Sequence, residues 1–370
     1  MSFLTGLLQH LPPETAHNFT IQLTKYGSSF LGSGFQDQSL HTNVKGLSFS
    51  NPLGIAAGFD KNAELIDPLL KIGFGFVECG TVTPKPQYGN AKPRIFRLKE
   101  DNAIINKLGF NNKGEKRFVK NLISAKKSGI VGSNIGPNKD SKNFIDDYLK
   151  IYRKISVSCD YVTINVSSPN TEALRELQRK EYLEVLLREI SQIRDGEKNR
   201  KPIMLKIDPD NTNDHYSMIL NLVNKYNIDG IIATNTSISR PEILRDLNKK
   251  RDGGLSGTPI KDLSDKVLKF LYQETNQELI LIGVGGVGSA LDVYNKIKLG
   301  ASLVQLYTSL TYSGPQLINK ILIELVTLIK DDGFANISEA VGVNNKWIKP
   351  LIFLLTKERG SLTNNRIAIL

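Results

Sequence analysis

The chain has 370 residues, of which 40% are hydrophobic and 23% are charged, and its formal net charge is +11. This composition excludes a largely disordered chain, because such chains lack the apolar surface that a core requires. The charge alone suits a nucleic acid, an anionic membrane or an anionic substrate. No continuous basic stripe runs through the chain, however, so we expect no nucleic-acid partner.

Residues 1–40 form the first of three predicted segments. Pro12 and Pro13 predict the start of a helix over the residues that follow. The segment holds more apolar side chains than two short helices bury by themselves, namely Phe3, Leu4, Leu7, Leu8, Phe19, Ile21 and Leu23. These side chains either pack on the main domain or contact a membrane surface, and composition does not choose between the two. No run of about 18 apolar residues exists, which argues against a membrane-spanning helix.

From about Ser48 onward, short β-like runs alternate with amphipathic helical patterns. The predicted strands are residues 53–57, 74–79, 130–134, 161–166, 203–207, 230–233, 279–284 and 302–307. Helical patterns lie between them, for example at 113–127, 145–155, 182–193, 263–273 and 314–329. Eight β-then-α units favour an α/β fold in which residues 41–335 form a closed (β/α)8 TIM barrel.

Polar residues and glycines gather where these strands end. They are Gly58, Lys61, Gly80, Thr81, Asn134, Lys206, Thr234, Asn235, Thr236, Gly285, Gly286, Tyr307 and Thr308, together with the run at 165–171. The carboxyl ends of barrel strands meet on one face, where the active sites of such barrels lie. None of the four histidines stands at a predicted strand end, so we expect acid–base chemistry to depend on other side chains.

The densest polar stretch is the run at 165–171, Asn-Val-Ser-Ser-Pro-Asn-Thr. In the strand before it, Val162 and Ile164 are expected to face the helices, whereas Thr163 and Asn165 face inward. Burying a polar group without a partner costs about 1–3 kcal/mol, and a ligand is the usual reason for such a run. A serine at its centre, Ser168, rather than a histidine or cysteine, limits the chemistry.

Two glycine-rich stretches are expected at the same face. Residues 283–288 match the G-x-G-x-x-G pattern, but the acid that holds a ribose about 20 residues later is absent. We favour phosphate binding by backbone amides, because the loops after strands seven and eight commonly bind phosphate. Residues 253–257, Gly-Gly-Leu-Ser-Gly, are expected to supply a second flexible stretch of backbone that approaches the same face.

Two lysines and a group of asparagines are also expected there. Lys206 lies inward on an apolar strand, where an unpaired ammonium is costly. It either pairs with a barrel carboxylate or stabilises an anionic ligand, and we prefer the second interpretation. Lys61 follows the first strand and points to the same mouth. Residues 106–112 are expected as a loop before a helix, and their three asparagines exceed what a helix cap needs, which suits recognition of a planar polar ring.

These motifs resemble those of class 2 dihydroorotate dehydrogenases, the FMN-containing, quinone-reducing, membrane-associated enzymes of pyrimidine biosynthesis. The matching stretches are 57–61 (AGFDK), 80–84 (GTVTP), 107–112 (KLGFNN), 165–171 (NVSSPNT) and 253–257 (GGLSG). The resemblance extends to about Asn345. It implies that (S)-dihydroorotate is oxidised to orotate, with one FMN per subunit as hydride acceptor and a membrane quinone as final acceptor. It also implies peripheral association with the cytoplasmic face of the inner membrane.

The resemblance further implies roles for individual residues. FMN would be held by Ala57, Gly58, Thr81, Asn134, Asn165, Lys206, Thr234, Gly257, Gly286, Tyr307 and Thr308. Dihydroorotate would be bound by Lys61, Asn106, Lys107, Leu108, Gly109, Phe110, Asn165, Asn170, Asn235 and Thr236. A quinone would meet His17, Arg97 and Tyr307. Ser168 would be the general base, because class 1 relatives have a cysteine there, and Thr171 or a water would relay the proton.

Two alternatives stay open at this point. A flavin barrel like the tRNA-dihydrouridine synthases would need a catalytic cysteine at a strand mouth, which neither Cys79 nor Cys159 supplies. A flavin-binding membrane-surface protein without catalysis would not need Ser168 or Lys61. The two cysteines form no metal or redox motif, so we expect no metal site and buried, inert thiols in a cytoplasmic protein.

Residues 336–370 form the third predicted segment, past the family's usual end from Lys346 onward. Five basic residues and one acid lie in 346–370, among several large apolar side chains. This part is either a basic amphipathic membrane helix or an extension with no role.

Overall fold

The computed structural model describes residues 6, 8, 10–27, 32–171, 174–275 and 278–345. Its strands in chain order are β1 (Thr42–Val44), β2 (Leu47–Phe49), β3 (Leu53–Ile55), β4 (Phe76–Val82), β5 (Ile95–Leu98), β6 (Ala103–Asn106), β7 (Ile130–Ile135), β8 (Tyr161–Asn165), β9 (Ile203–Ile207), β10 (Gly230–Ala233), β11 (Gly254–Gly257), β12 (Ile280–Val284) and β13 (Leu303–Leu306). Its helices are α1 (Pro13–Gly27), α2 (Ile66–Lys71), α3 (Gly114–Ser124), α4 (Phe144–Ile155), α5 (Lys180–Asp195), α6 (Asn213–Lys225), α7 (Lys261–Glu274), α8 (Ala290–Lys298), α9 (Thr308–Ser313) and α10 (Gln316–Asp331).

Eight parallel strands close into a barrel at the centre of the described chain. Their order is β3-β4-β7-β8-β9-β10-β12-β13, and β13 pairs again with β3. This confirms the predicted (β/α)8 barrel, and β9 and β10 have the predicted bounds. The largest difference is in β4, which continues past Cys79 to Val82. The extension forms because Gly80 still pairs with Asn134, and Val82 pairs with Ile135 after a shift in register.

The barrel strands bury both of their faces. On the outer face Val162 and Ile164 pack in the large core between the strands and the helices, as predicted. Helix α4 shows how the helices join this core, since it buries Tyr148, Ile151 and Ile155, which recur at helical spacing. A second core fills the amino-terminal end of the barrel, where it is formed by Phe49, Phe76, Tyr161, Met204, Ile232, Ile280, Ile282 and Leu303. The floor of the barrel is therefore closed, and only the carboxyl end is left to hold a ligand.

A three-stranded antiparallel sheet lies on the carboxyl face, and the sequence did not predict it. Strand β6 lies between β5 and β11, with Gly254 paired to Asn106. Residues 253–257 do approach the ligand face, as predicted, but most of them form strand β11, and Asn106 ends a strand rather than lying in a loop. The sheet has a small core of its own, formed by Leu98, Ala103, Ile105, Leu244, Leu255 and Ile260. This packing fixes a glycine-rich segment that local pattern alone predicts to be irregular.

Helix α1 lies over the barrel mouth. Ala16 is buried, whereas Phe19, Leu23 and Tyr26 are exposed, so this segment both packs on the barrel and presents apolar side chains outward. Packed structure also continues into the third predicted segment as far as Asn345, whose side-chain amide donates to the Leu299 carbonyl at 2.5 Å. The predicted basic extension at 346–370 lies outside the described residues.

Candidate active site

One large cavity opens at the carboxyl ends of the barrel strands, beneath helix α1 and beside the three-stranded sheet. Its volume is about 560 Å³, which is within the range of ordinary small-molecule sites. It brings together most of the predicted site residues, namely His17, Ala57, Gly58, Lys61, Thr81, Arg97, Asn106, Leu108, Gly109, Phe110, Asn165, Ser168, Asn170, Lys206, Thr234, Asn235, Thr236, Gly257, Gly286, Tyr307 and Thr308. The residues predicted for the flavin, the substrate and the quinone therefore surround a single space.

Three predicted site residues do not line this cavity. Asn134 is fully buried behind its wall and accepts the Thr81 hydroxyl at 2.5 Å. Lys107 lines a smaller neighbouring cavity, and its ammonium lies 6.0 Å from the centre of the Phe96 ring. Thr171 is buried, and its hydroxyl has no hydrogen-bond partner among the described residues.

Asn165 is held in place by side chains from neighbouring strands. Its amide nitrogen donates to the Thr81 hydroxyl at 3.0 Å and to the Asn134 carbonyl at 3.2 Å. Its carbonyl oxygen accepts from Asn235 and from the Ser167 hydroxyl, both at 3.3 Å. The buried amides at the strand ends thus satisfy one another, which removes most of the desolvation cost that the sequence led us to expect.

The loop that carries Ser168 is fixed from two sides. The Ser168 hydroxyl accepts from the Asn170 backbone N–H at 3.3 Å, and the Asn170 side chain donates to Asn106 at 3.2 Å. From outside the cavity, the Asn90 side chain donates to the backbone carbonyls of Asn170 and Lys107, at 2.9 and 3.1 Å. Ser168 is therefore presented to the cavity on a backbone that two other segments hold.

Lys206 has a carboxylate partner, which sequence reasoning left unnamed. Its ammonium lies 4.0 Å from Oε1 of Glu78, a fully buried residue of β4. We favoured a ligand over a salt bridge as the reason for Lys206, but the structure shows that the salt bridge is present. Lys206 also lines the cavity, so the pairing leaves its ammonium within reach of a ligand. Withdrawal from water lowers the pKa of Lys206, and the Glu78 carboxylate opposes that change.

Lys61 and His17 meet on the opposite side of the cavity, with 3.4 Å between the ammonium and Nε2 of the imidazole. Withdrawal from water, followed by repulsion from Lys61, lowers the pKa of His17 to about 3. Desolvation lowers the pKa of Lys61 to about 8, against the attraction of Glu14 and Asp60. His17 is therefore a neutral imidazole in this site. As expected, His17 does not stand at a strand end. It nevertheless lines the site, because helix α1 places it there from outside the barrel.

The glycine-rich segments form one wall of the cavity. Gly257, Gly285 and Gly286 have φ of 99°, 116° and 70°, a left-handed backbone that other residues rarely adopt. A Cβ on Gly286 would lie 2.4 Å from the Cβ of Lys261, so this wall requires a bare backbone. Nearby, the buried Thr234 hydroxyl has no hydrogen-bond partner in the described chain. A wall of open backbone with an unpartnered hydroxyl suits a ligand that carries oxygen acceptors.

Comparison with known proteins identifies a family. Residues 39–329 match the family model for dihydroorotate dehydrogenase. A dihydroorotate dehydrogenase (quinone) of Brucella abortus is 47% identical over 331 residues, which cover 88% of this chain and 91% of that protein. Another, of Parvibaculum lavamentivorans, is 44% identical over 339 residues, which cover 91% and 97%. The crystal structure of DHODH in complex with ferulenol from Eimeria tenella matches with a TM-score of 0.87 at 38% identity, covering 93% of this chain and 99% of that one.

The chain belongs to the dihydroorotate dehydrogenase family. Members of the family oxidise dihydroorotate in pyrimidine biosynthesis and depend on a flavin, and this chain is an oxidoreductase of that kind. The match covers most of the chain and favours neither the tRNA-modifying alternative nor the non-catalytic one. The predicted resemblance is thereby confirmed.

Sequence reasoning missed two residues of the dihydroorotate dehydrogenase site. Glu78 could have been found by the signal that identified Lys206, a charged residue within an apolar strand. Asn90 gave no local signal, because its role depends on contacts 17 and 80 residues away in the sequence. Among the described residues no group of three or more His, Cys, Asp or Glu side chains could hold a metal ion. None of the described helices has the length and hydrophobicity that crossing a bilayer requires.

Proposed function

We propose that this protein oxidises dihydroorotate to orotate with FMN as its flavin and a membrane quinone as the final electron acceptor. The observation that carries the proposal is the single cavity that brings Ser168, Lys61 and Lys206 together beneath the helix that carries His17. A dehydrogenase that reduces a quinone needs both ligands within electron-transfer distance of one flavin, and a shared cavity meets that need.

FMN fits the residues on one side of the cavity. The unpartnered Thr234 hydroxyl and the open backbone at Gly257 and Gly286 would hold its polar groups and phosphate. Lys206 would face the flavin ring and stabilise negative charge on it. When bound, FMN would accept a hydride from the substrate and pass the two electrons to the quinone.

Dihydroorotate is an anion with a planar array of amide groups, and the other side of the cavity suits both features. Lys61 would bind the carboxylate, and the side chains of Asn106, Asn170 and Asn235 would hydrogen-bond the ring amides. Fixing the ring in this way aligns the carbon that loses a proton with Ser168 and the adjacent carbon with the flavin.

Ser168 would take the proton from the substrate carbon on its Oγ. The Asn170 backbone N–H donates to that oxygen, so it would stabilise negative charge that builds up there. A serine hydroxyl needs an outlet for the proton it gains. The buried Thr171 hydroxyl, which has no partner among the described residues, would serve as the next acceptor through a water.

The quinone would bind between α1 and the barrel. The rings of His17, Phe59 and Tyr307 form an edge-to-face series with centroid separations of 5.3 and 5.6 Å, and this series leads from α1 into the cavity. Phe19, Leu23 and Tyr26 expose apolar surface on α1, and Leu23 also lines the cavity. We therefore propose peripheral binding of α1 to the cytoplasmic face of the inner membrane, from which a quinone would enter.

The first test is spectroscopic. Purified protein should be yellow, dihydroorotate should bleach it under anaerobic conditions, and a quinone should restore the colour faster than fumarate or NAD. A colourless protein that takes up no FMN would refute the proposal, and faster recovery with NAD or fumarate would refute the quinone assignment.

The second test separates the proposed base from its surroundings. Ser168→Ala should retain FMN but lose most of the rate of flavin reduction at neutral pH. Ser133→Ala is a control for the loss of a buried serine hydroxyl, because Ser133 is fully buried and does not line the cavity. Equal rates in Ser168→Ala and the wild type would remove Ser168 as the base.

A further inference from the structure

Glu78 lies inside the barrel, one layer below the cavity, and is completely buried. Each of its carboxylate oxygens accepts from a side-chain amide: Oε1 from Asn134 at 2.8 Å, and Oε2 from Gln305 at 2.9 Å. Oε2 also accepts from the hydroxyls of Tyr161 and Thr163, at 3.1 and 3.3 Å. Four donors from three other strands therefore converge on one side chain that touches neither the substrate pocket nor solvent.

The side chains around Glu78 are arranged as hydrogen-bond donors to a carboxylate. An ionised carboxylate only accepts hydrogen bonds, and amide N–H groups, which cannot accept, approach both oxygens. The Lys206 ammonium completes the arrangement at 4.0 Å. Among the described residues, the other titratable groups beside this carboxylate are Tyr161 and Cys79. Burial raises the pKa of each well above its usual value, so both are neutral.

Lys206 depends on this carboxylate for its charge. It is 5% exposed, and removal from water disfavours an ammonium by several kcal/mol when no counter-charge is present. Glu78 is the counter-charge that opposes this effect, and it reaches Lys206 from the barrel interior. The face of Lys206 that lines the cavity remains available to a ligand.

We propose that Glu78 is a positioning residue that keeps Lys206 in its ammonium form before the hydride arrives, so that the charge gained by the flavin meets a cation already in place. The inference rests on the proposed function, because it assumes that FMN lies against Lys206. Glu78 acts through Lys206 and has no contact with the cavity.

If Glu78 keeps Lys206 protonated, it also determines how many protons the enzyme takes up when two electrons reduce the flavin. Hydride uptake adds two electrons and one proton to FMN and leaves the ring with one additional negative charge. With Lys206 already protonated, no second proton is taken up. With Glu78 replaced by a neutral side chain, Lys206 is neutral in the oxidised enzyme and takes a proton from solvent when the flavin becomes charged. Reduction then consumes two protons for two electrons.

The test is the pH dependence of the flavin midpoint potential of the holoenzyme, measured against redox dyes from about pH 6.5 to about pH 8.5. In the wild type the slope should correspond to one proton per two electrons, and in Glu78→Gln it should double. Tyr161→Phe is the matched control, because it removes one donor to Glu78 and leaves both charges, so its slope should remain that of the wild type. A one-proton slope in Glu78→Gln, or a doubled slope in Tyr161→Phe, would overturn the proposal.

A second measurement does not need the flavin. Urea unfolding of the full-length apoproteins from about pH 7 to about pH 9 reports protons bound to Lys206. If Lys206 is neutral in folded Glu78→Gln but charged when unfolded, the unfolded state binds more protons and the free energy of unfolding rises with pH. The free energy of unfolding of Glu78→Gln should therefore be lower than that of the wild type, and this difference should become smaller as pH rises.

The double variant Glu78→Gln/Lys206→Met, which lacks both groups, should show no such trend relative to the wild type. A deficit in Glu78→Gln that is independent of pH would overturn the proposal even if that variant bound no FMN. If the wild-type protein itself bound no FMN, the proposed function would fail, and the unfolding measurement would still test the pairing of Glu78 with Lys206.

Discussion

Glu14 forms a salt bridge that attaches helix α1 to the buried Arg94, and its removal should affect the two half-reactions unequally. The buried Arg94 donates to Glu14 Oε1 at 2.5 Å through Nη2 and to Oε2 at 3.2 Å through Nε. In Glu14→Ala the guanidinium keeps its bonds to the carbonyls of Tyr88 and Asn90, so it is not left without partners. Hydrogen bonds to charged groups contribute about 1.5–3 kcal/mol each. Because the Glu14 carboxylate is partly exposed, we expect its removal to weaken the docking of α1 by a total free energy near the lower end of this range.

A loss of about 2 kcal/mol changes the ratio of docked to undocked α1 by a factor of about 30. Because α1 reaches the substrate side of the cavity only through the contact of His17 with Lys61, this change should slow reoxidation of the flavin by quinone much more than its reduction by dihydroorotate. Stopped-flow absorbance measures the two half-reactions separately. Limited proteolysis within residues 13–27 measures undocking of α1 directly.

Lys92→Ala is the matched control for this experiment. Lys92 is the other cation at Glu14, at 3.5 Å, but its side chain is 66% exposed, and exposed ion pairs contribute about 0–1 kcal/mol. It should therefore behave as the wild type does. Equal losses in both half-reactions of Glu14→Ala, or an equal effect of Lys92→Ala, would refute the idea that this ion pair docks the quinone-side helix.

Three further outcomes follow from the described contacts. Because the pKa of Lys61 is lowered to about 8, its ammonium is present below that pH and lost above it. Thus kcat/KM for dihydroorotate should fall as pH rises through about 8, and Lys61→Arg should move the fall to higher pH. Thr234→Val should leave the melting temperature of the apoprotein unchanged, because the hydroxyl has no hydrogen-bond partner among the described residues, while FMN affinity drops by up to about tenfold in a fluorescence titration. Cys79 and Cys159 are buried, and burial raises the pKa of the Cys159 thiol to about 12, so a colorimetric thiol reagent should modify both only after unfolding.

The barrel could be predicted from sequence because its signal is repeated and local. Each β-then-α unit carries its own alternation of apolar and polar residues, and an error of a few residues in one strand does not disturb the others. The extended end of β4 shows the limit of this signal. Gly80 and Thr81 have the composition of a loop, yet pairing with β7 holds them in the sheet. The neighbouring strand determines where β4 ends, and the local sequence pattern holds no information about that neighbour.

The parts that escaped prediction depend on contacts between distant segments. Strand β11 pairs with β6 although about 150 residues separate them, and glycines obscure its alternation. Glu78 is a different case, since its position in an apolar strand was visible. The sequence suggested that a barrel carboxylate could pair with Lys206. It did not identify Glu78 as that carboxylate, because the local sequence does not show which strands face each other across a barrel.

The pairing of Lys61 with His17 links the side of the cavity proposed for the substrate to the side proposed for the quinone. Two cations at 3.4 Å would repel each other strongly in a site with little water, and the site avoids this because His17 is neutral, with a pKa lowered to about 3. An ammonium only donates hydrogen bonds, so Nε2 of the neutral His17 ring is the acceptor when Lys61 is charged. The imidazole therefore supports the lysine that would hold an anionic substrate and adds no charge to the wall that would meet a neutral quinone. A change in the rate of quinone reduction as pH passes through neutrality should consequently arise from titration of groups other than His17.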